Sequence, residues 1–264
     1  MAWAAVQANG MVLSVGFDGQ TFPADGSVQI ITVPDESVIA VMVGRLKLQH
    51  VVMMPEPEPA TANLPILDTT VYSNRYPAMM NERDVDALIS LMSLLPTDAI
   101  AVEAGSRFGG SAKIMLDNAA SIKRLYCMDP DWADPNSPWI RSDPSISQSF
   151  TDRWKLREHD TCFSYAASLL GSYPNVRLLA LGSPYEIAWW QEPIDFLFED
   201  ATHSNPQMND NLNFWLPRVK SGGIIAGHDY NTAWPDVIKE ADGLAARLGA
   251  ELQVRSTIWW LIKP

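Results

Sequence analysis

The sequence predicts an α/β fold: a doubly wound, mostly parallel sheet with an antiparallel C-terminal edge, preceded by a small β-rich N-terminal module. Three observations carry that expectation. From Ala99 onward, near-continuous apolar runs of strand length alternate with helix-length segments, the pattern of a parallel sheet covered on both faces. The closing runs ELQV and TIWWLI are separated only by Arg255 and Ser256, too tight for a crossover, so that pair must be antiparallel. The first 54 residues differ in texture, with short Val- and Ile-rich runs broken by the turn-forming clusters FDGQTFPADG and PDES.

Within residues 1–54, MVLSVGF, SVQIIT, SVIAVMV and LKLQHVV read as four short antiparallel strands. In the last, Leu46, Leu48, His50 and Val52 alternate with Lys47 and Gln49. Residues 55–80 form a linker whose opening, PEPEPATANLP, is stiffened by repeated proline and stripped of amide donors. The main domain is expected from 81 to 264. It opens on the helix MNERDVDALISLMSLL, with Asn81 as N-cap, acids in the first turn, and Val85, Leu88, Ile89 and Met92 on one stripe. AIAVEAG is then the first strand and GGSAKIMLDNAAS its helix. KRLYCMD, the helix TCFSYAASLLGSY and VRLLAL follow as second strand, helix and third strand. IDFLFED and GGIIAGHD are the fourth and fifth strands, with the helix NPQMNDNLNFWLPRV between them and PDVIKEADGLAARLG after.

The chain of 264 residues, 47% hydrophobic, can bury the core of one large domain or of a domain with an appendage. Thirty-one acids against nineteen bases give a net charge of -12, which repels a phosphate backbone, so nucleic acid is not an expected partner. Residues 1–100 carry -7 of that charge. No apolar run approaches the roughly 18–20 residues needed to cross a bilayer, and MAWAAVQANG lacks the basic start of a secretory signal. A soluble, cytoplasmic protein with no membrane contact is the expectation, with the N-terminal module available for homo-oligomer formation. Cys127 and Cys162 form no metal box and read as buried thiols.

In an open α/β sheet, ligands bind beyond the carboxyl ends of the strands where strand order reverses. The first loop there is VEAGSRFGGS, Val102 to Ser111. Gly105 allows a tight turn, Gly109 and Gly110 let a ligand approach the backbone, and the following helix offers unpaired amides. Arg107 stands where a dinucleotide loop would carry its middle glycine, and the Glu103 carboxylate would repel a pyrophosphate while accepting hydrogen bonds from an ammonium group. The loop therefore favours a ligand bearing an amino acid over NAD. Asp129 ends the second strand, a position suited to ribose hydroxyls. In the third loop, LGSPYE, Ser183 and Tyr185 are positioned for an adenine edge.

From Ala99 to the C-terminus the sequence resembles the class I S-adenosylmethionine-dependent methyltransferases, Rossmann-like enzymes, and most closely the branch with sugar and antibiotic O-methyltransferases and cephalosporin-hydroxylase-like proteins. The resemblance rests on VEAGSRFGGS, YCMDPD, IDFLFEDATHS and VKSGGIIAGHDY. It implies that Glu103, Gly105 and Ser111 line the methionine end of S-adenosylmethionine, with Ser106 and Gly109 in the same loop, and that Asp129 holds the ribose. Asp200 lies on the cofactor side as well.

The acceptor side falls to strands four and five. Asp200 and His203 follow FLFE, and His228 and Asp229 end strand five. A hydroxyl that receives a methyl group must lose its proton while held close to the methyl carbon. Asp200 and Asp229, with His228 or His203, would hold a divalent metal ion to that end, although histidine suits Zn, Mn or Fe better than Mg. Alternatively His203 takes the proton directly, or His203 and Asp229 merely tie two loops together. The long polar stretch DWADPNSPWIRSDPSISQSFTDRW, with Trp132, Trp139 and Trp154, reads as an aromatic lid over the crevice or as a disordered insertion. The function expected is methyl transfer to a small-molecule hydroxyl, of a sugar or secondary metabolite. The rival is a non-catalytic ligand-binding or assembly module on the same fold.

Overall fold

The computed structural model describes residues 2–7, 12–17, 28–33, 72–133 and 146–264. The chain divides into two units, Met1–Asp68 and Thr69–Pro264. In the first, β1 (Ala2–Gln7) pairs antiparallel with both β2 (Val12–Phe17) and β3 (Val28–Val33). β2 and β3 are the runs MVLSVGF and SVQIIT. β1 is a strand that the sequence pattern does not announce: AWAAVQ is rich in alanine, a weak strand former, and pairing on both sides supplies what propensity lacks. The runs SVIAVMV and LKLQHVV, and residues 55–71 of the linker, lie outside the described residues.

The second unit opens on α1 (Glu82–Met92), then β4 (Ala99–Ala104), α2 (Gly110–Asn118) and β5 (Ile122–Met128). α3 (Gln148–Arg153), α4 (Cys162–Leu170) and β6 (Val176–Leu179) follow, then β7 (Ile194–Glu199), α5 (Gln207–Trp215) and β8 (Val219–Gly227). α6 (Pro235–Leu248), β9 (Gln253–Arg255) and β10 (Ile258–Ile262) close the chain. Its seven strands run in the order β6-β5-β4-β7-β8-β10-β9. β4, β5, β6, β7 and β8 are parallel, and β10 is antiparallel to both β8 and β9. The order reverses between β4 and β7, which places the ligand crevice beyond their carboxyl ends.

Both faces of the sheet are covered, which explains why its strands read as unbroken apolar runs. Residues Ala101, Phe196 and Phe198 belong to a core shared with α1, α2 and α4, including Leu88, Met115 and Leu170. Their neighbours Val102 and Leu197 belong to the opposite core with Leu212 and Trp215 of α5 and Val237 and Leu244 of α6. Period-two alternation thus survives as a choice of core rather than of core against water. Trp259 and Trp260 split between the faces in the same way. Cys127 and Cys162 are free, buried thiols.

α1 begins as its sequence requires. Asn81 Oδ1 accepts from the amides of Arg83 and Asp84, and the Asp84 side chain accepts from the Asn81 amide, a complete capping box. The buried stripe is Asp84, Val85, Ala87, Leu88, Leu91 and Met92; Ile89, expected on it, is half-buried. Residues 72–80, the end of the expected linker, carry Ala78 and Met80 into the core. The closing hairpin turns at Ser256 and Thr257, one residue later than the spacing suggests, with Ser256 in the left-handed region at φ 58°. Among the described residues no helix is long and apolar enough to cross a membrane.

Candidate active site

Backbone hydrogen bonds lace the ends of β4, β5 and β7 together. The amides of Gly105 and Ser106 donate to Met128 O at 2.8 and 3.0 Å, and the Asp200 amide donates to Ala104 O at 2.8 Å. Gly105 has φ 90°, and a Cβ there would stand 2.2 Å from Asp200 O, so the turn is glycine for conformation and for space. Beside it, Glu103 is fully buried. The Ser111 hydroxyl donates to Glu103 Oε1, while Glu103 Oε2 and Ser106 Oγ are buried without a hydrogen-bond partner. Burial pushes the Glu103 carboxyl up to about 7, with the Ser106 and Ser111 hydroxyls opposing.

Asp129 stands at the end of β5, 7% exposed. Its Oδ2 accepts from the Arg107 amide at 2.7 Å and its Oδ1 from the Asp131 amide at 2.9 Å. Burial raises its carboxyl to about 6 against the pull of the Arg107 amide. Trp132 Nε1 donates to Arg107 O at 2.7 Å, so Asp129 and Trp132 together brace the first loop.

Several expected positions have other work. At Gly109 and Gly110 the space that a Cβ would fill is taken by the protein itself. A Cβ on Gly109 would meet the Leu170 side chain at 2.8 Å, and one on Gly110 would meet Pro77 O at 2.2 Å. Ser183, expected at the adenine edge, is turned into the core at 4% exposure. It donates to Asn211 Oδ1 and accepts from Trp215 Nε1 at 2.9 Å. Tyr185 is exposed and donates to Asp210 Oδ2 at 2.8 Å. Trp132 and Trp154 pack against the core around Phe150 and Leu156, and the stretch read as a lid contains α3; Trp139 lies outside the described residues.

Asp200, His203, His228 and Asp229 do converge. His203 Nε2 lies 2.8 Å from Asp229 Oδ2 and 3.7 Å from Asp200 Oδ1. His228 Nδ1 lies 3.5 Å from Asp229 Oδ2 and 3.6 Å from Asp200 Oδ1. Burial opposes charge on both rings, but the carboxylates outweigh it: His203 rises to about 10 and His228 well above its ordinary value. Burial likewise opposes charge on Asp200, and the two imidazoles nonetheless lower its carboxyl. His203 stacks on Trp234, ring centroids 4.4 Å apart. Asp229 holds φ 59°, a left-handed conformation rare outside glycine.

Donor atoms of Asp200, His203 and Asp229 lie within 4.8 Å of one another, a spacing that can hold a metal ion. Of the two histidines left open by the sequence, His203 is the one that falls within this spacing, while His228 turns its Nε2 to Asp84 at 3.6 Å. Asp84, Trp234 and Thr257 are the neighbours that sequence reasoning missed. One signal pointed to Asp84: it precedes Leu88 by four residues and Leu91 by seven, on the buried stripe of α1.

Residues 102–230 match the family of methyltransferase domains. No curated protein matches the sequence. Among solved structures, an O-methyltransferase from Bacillus cereus is similar at 18% identity, covering 70% of this chain and 82% of that one, with a TM-score of 0.45. The O-methyltransferase TomG from Streptomyces achromogenes is similar at 15% identity over 70% and 81%, TM-score 0.46. An rRNA methylase from Streptococcus thermophilus is similar at 19% identity over 70% and 99%, TM-score 0.44. The order β6-β5-β4-β7-β8-β10-β9 with both faces covered is a Rossmann-like α/β arrangement, and the match to the methyltransferase domain spans residues 102–230 within it.

Proposed function

We propose that this protein is an S-adenosylmethionine-dependent methyltransferase acting on a hydroxyl of a small molecule. The observation that carries the reading is the pairing of two features at one switch point. Glu103 holds a buried, unpartnered carboxylate oxygen at the end of β4, and Asp200, His203 and Asp229 gather beside it. Glu103 Oε2 and Ser106 Oγ suit the ammonium and carboxylate of an amino-acid moiety, and Asp129 suits ribose hydroxyls. When bound, S-adenosylmethionine supplies an electrophilic methyl group on a sulfonium. The chain's own part is to hold the acceptor oxygen in line beside the Asp200 and Asp229 carboxylates, which can accept its proton, while His203, kept protonated by those carboxylates, can hold the oxygen by donating to it.

The spacing of those three groups favours a second reading within the same function, a divalent ion on two carboxylate oxygens and one imidazole nitrogen. That donor set suits Zn, Mn or Fe better than Mg, and such an ion would lower the pKa of the acceptor hydroxyl. The net charge of -12 supports a small-molecule acceptor over nucleic acid. Calorimetric titration with S-adenosylmethionine and S-adenosylhomocysteine tests the proposal, and the absence of binding by both would sink it. Asp200→Ala is expected to abolish turnover while leaving cofactor affinity within a few-fold; a fully active variant would remove the acceptor site from this cluster.

A further inference from the structure

In the loop after β4, one residue that is not glycine is bent as a glycine would be. Gly105 and Gly109 have φ 90° and 78°, and Arg107 between them holds φ 46°. That left-handed backbone is strained for arginine, whereas glycine, which a dinucleotide loop carries at this place, would adopt it freely. The surroundings hold it there. The Arg107 amide donates to Asp129 Oδ2 at 2.7 Å, and its carbonyl accepts from Trp132 Nε1 at 2.7 Å. Strain kept in a ligand loop, where an unstrained residue would serve the turn as well, points to a side chain with work to do.

The side chain supplies what this part of the crevice needs. Arg107 is the one basic residue between Val102 and Ser111. Glu103, Asp129 and Asp200 stand at the strand ends around the loop, so the carboxylate of a ligand enters among acids. The usual anion site of such a loop, the start of its helix, is covered from one side. A Cβ on Gly110, the first residue of α2, would stand 2.2 Å from Pro77 O and 2.6 Å from Ala78 Cα. The guanidinium reaches that same segment: Nη1 donates to Met79 Sδ at 2.9 Å, and Cζ lies 5.5 Å from the centroid of the Phe108 ring. Phe108 is 2% exposed and packs edge-on against Tyr165, so the platform beneath the cation is fixed.

We propose that Arg107 binds the carboxylate of the amino-acid moiety that this loop takes. A planar guanidinium matches the two oxygens of a carboxylate with paired N–H donors, and it rests on an aromatic face better than an ammonium does. Ser106, the residue before it, has Oγ buried without a hydrogen-bond partner, so a hydroxyl and a cation adjoin along the chain. Glu103 Oε2, likewise unpartnered, is left for the ammonium. The two charges of one zwitterion thus meet opposite partners within a single loop. Asp129, read as the ribose partner, also sets the backbone from which the guanidinium extends.

The inference rests on the cofactor reading, and two probes separate the failure of one from that of the other. The full chain, as wild type, Arg107→Gln and Arg107→Gly, is titrated calorimetrically with S-adenosylhomocysteine and with methylthioadenosine, which keeps the nucleoside and thioether but lacks the amino-acid group. Both variants are expected to lose about 10- to 100-fold in affinity for S-adenosylhomocysteine, the worth of a charge-assisted contact, while methylthioadenosine stays within about threefold. Arg107→Gly relieves the left-handed strain, so its urea midpoint is expected at or above that of the wild type even as binding weakens. Unchanged S-adenosylhomocysteine affinity in either variant overturns the proposal, whatever the midpoint. So does an equal loss for both probes, the mark of a reshaped loop. A wild type that binds neither probe removes the cofactor reading and this proposal with it. A wild type that binds both, beside variants that bind both as well, removes the proposal alone.

Discussion

Replacing Gly105 by alanine separates two costs that the loop after β4 combines. The first is conformational: at φ 90° an alanine is strained by about 1–2 kcal/mol. The second is steric. The new Cβ would stand 2.2 Å from Asp200 O, 2.4 Å from Asp200 C and 2.5 Å from Ala201 Cα, all backbone atoms that no rotamer change can clear. Forcing the β4 and β7 loops apart adds about 1–3 kcal/mol, the ordinary cost of overpacking. Gly222 is the control, because its φ is 78° while nothing lies within 4 Å of its Cβ position. Gly222→Ala should lose only the conformational part, about 1–2 kcal/mol. Gly105→Ala should lose about 2–5 kcal/mol, the sum of the two ranges, together with binding of S-adenosylhomocysteine, since the loop that carries Glu103 and Ser106 is displaced with it. Urea unfolding of the three proteins measures the difference, and calorimetry the binding. Equal destabilisation by the two substitutions would refute the close-packing account of Gly105.

Gly243, within α6 and with open space at its Cβ, gives the opposite sign: Gly243→Ala should stabilise by about 1 kcal/mol in the same urea series. Ser183→Ala leaves Trp215 Nε1 without its acceptor and should cost about 1–3 kcal/mol. Its affinity for S-adenosylhomocysteine should stay unchanged; a large loss would return Ser183 to the cofactor pocket. Asp129 gives two opposite pH dependences. Its carboxyl lies near 6 when folded against an ordinary 3.8, so the folded state holds the extra proton and stability falls as pH rises from about 4 to 6. Ribose hydroxyls need the ionised acceptor, so affinity for S-adenosylhomocysteine should weaken as pH falls through about 6. Asp129→Asn should make both curves shallower in that window, the buried Glu103 carboxyl near 7 supplying part of the remaining stability slope, and an unaltered slope in either would show that Asp129 does not titrate there.

Local physics made much of the fold legible. The Asn81 cap with its Asp84 partner, the apolar strands and the tight final turn are each settled within a few residues of chain. The positions of Glu103, Asp129, Asp200 and Asp229 were legible for the same reason: each ends a strand, and parallel strands deliver their ends to one edge. Side-chain direction was not. Ser183 sits in a loop of the right address, yet Asn211 and Trp215, 28 and 32 residues on, turn it into the core. Gly109 and Gly110 look like ligand-binding glycines, but Leu170 and Pro77 occupy the space beside them.

By itself, then, the sequence determined the order of elements, the switch point and the acids that gather there, because hydrophobic period and turn chemistry act over short separations. Only the tertiary structure decided which nitrogen of His228 faces which acid, and that His203 is the histidine brought to 2.8 Å from Asp229. Those choices depend on contacts such as Asp84 with Thr257, 173 residues apart in the chain, where burial leaves a charge no partner but the one packing brings to it.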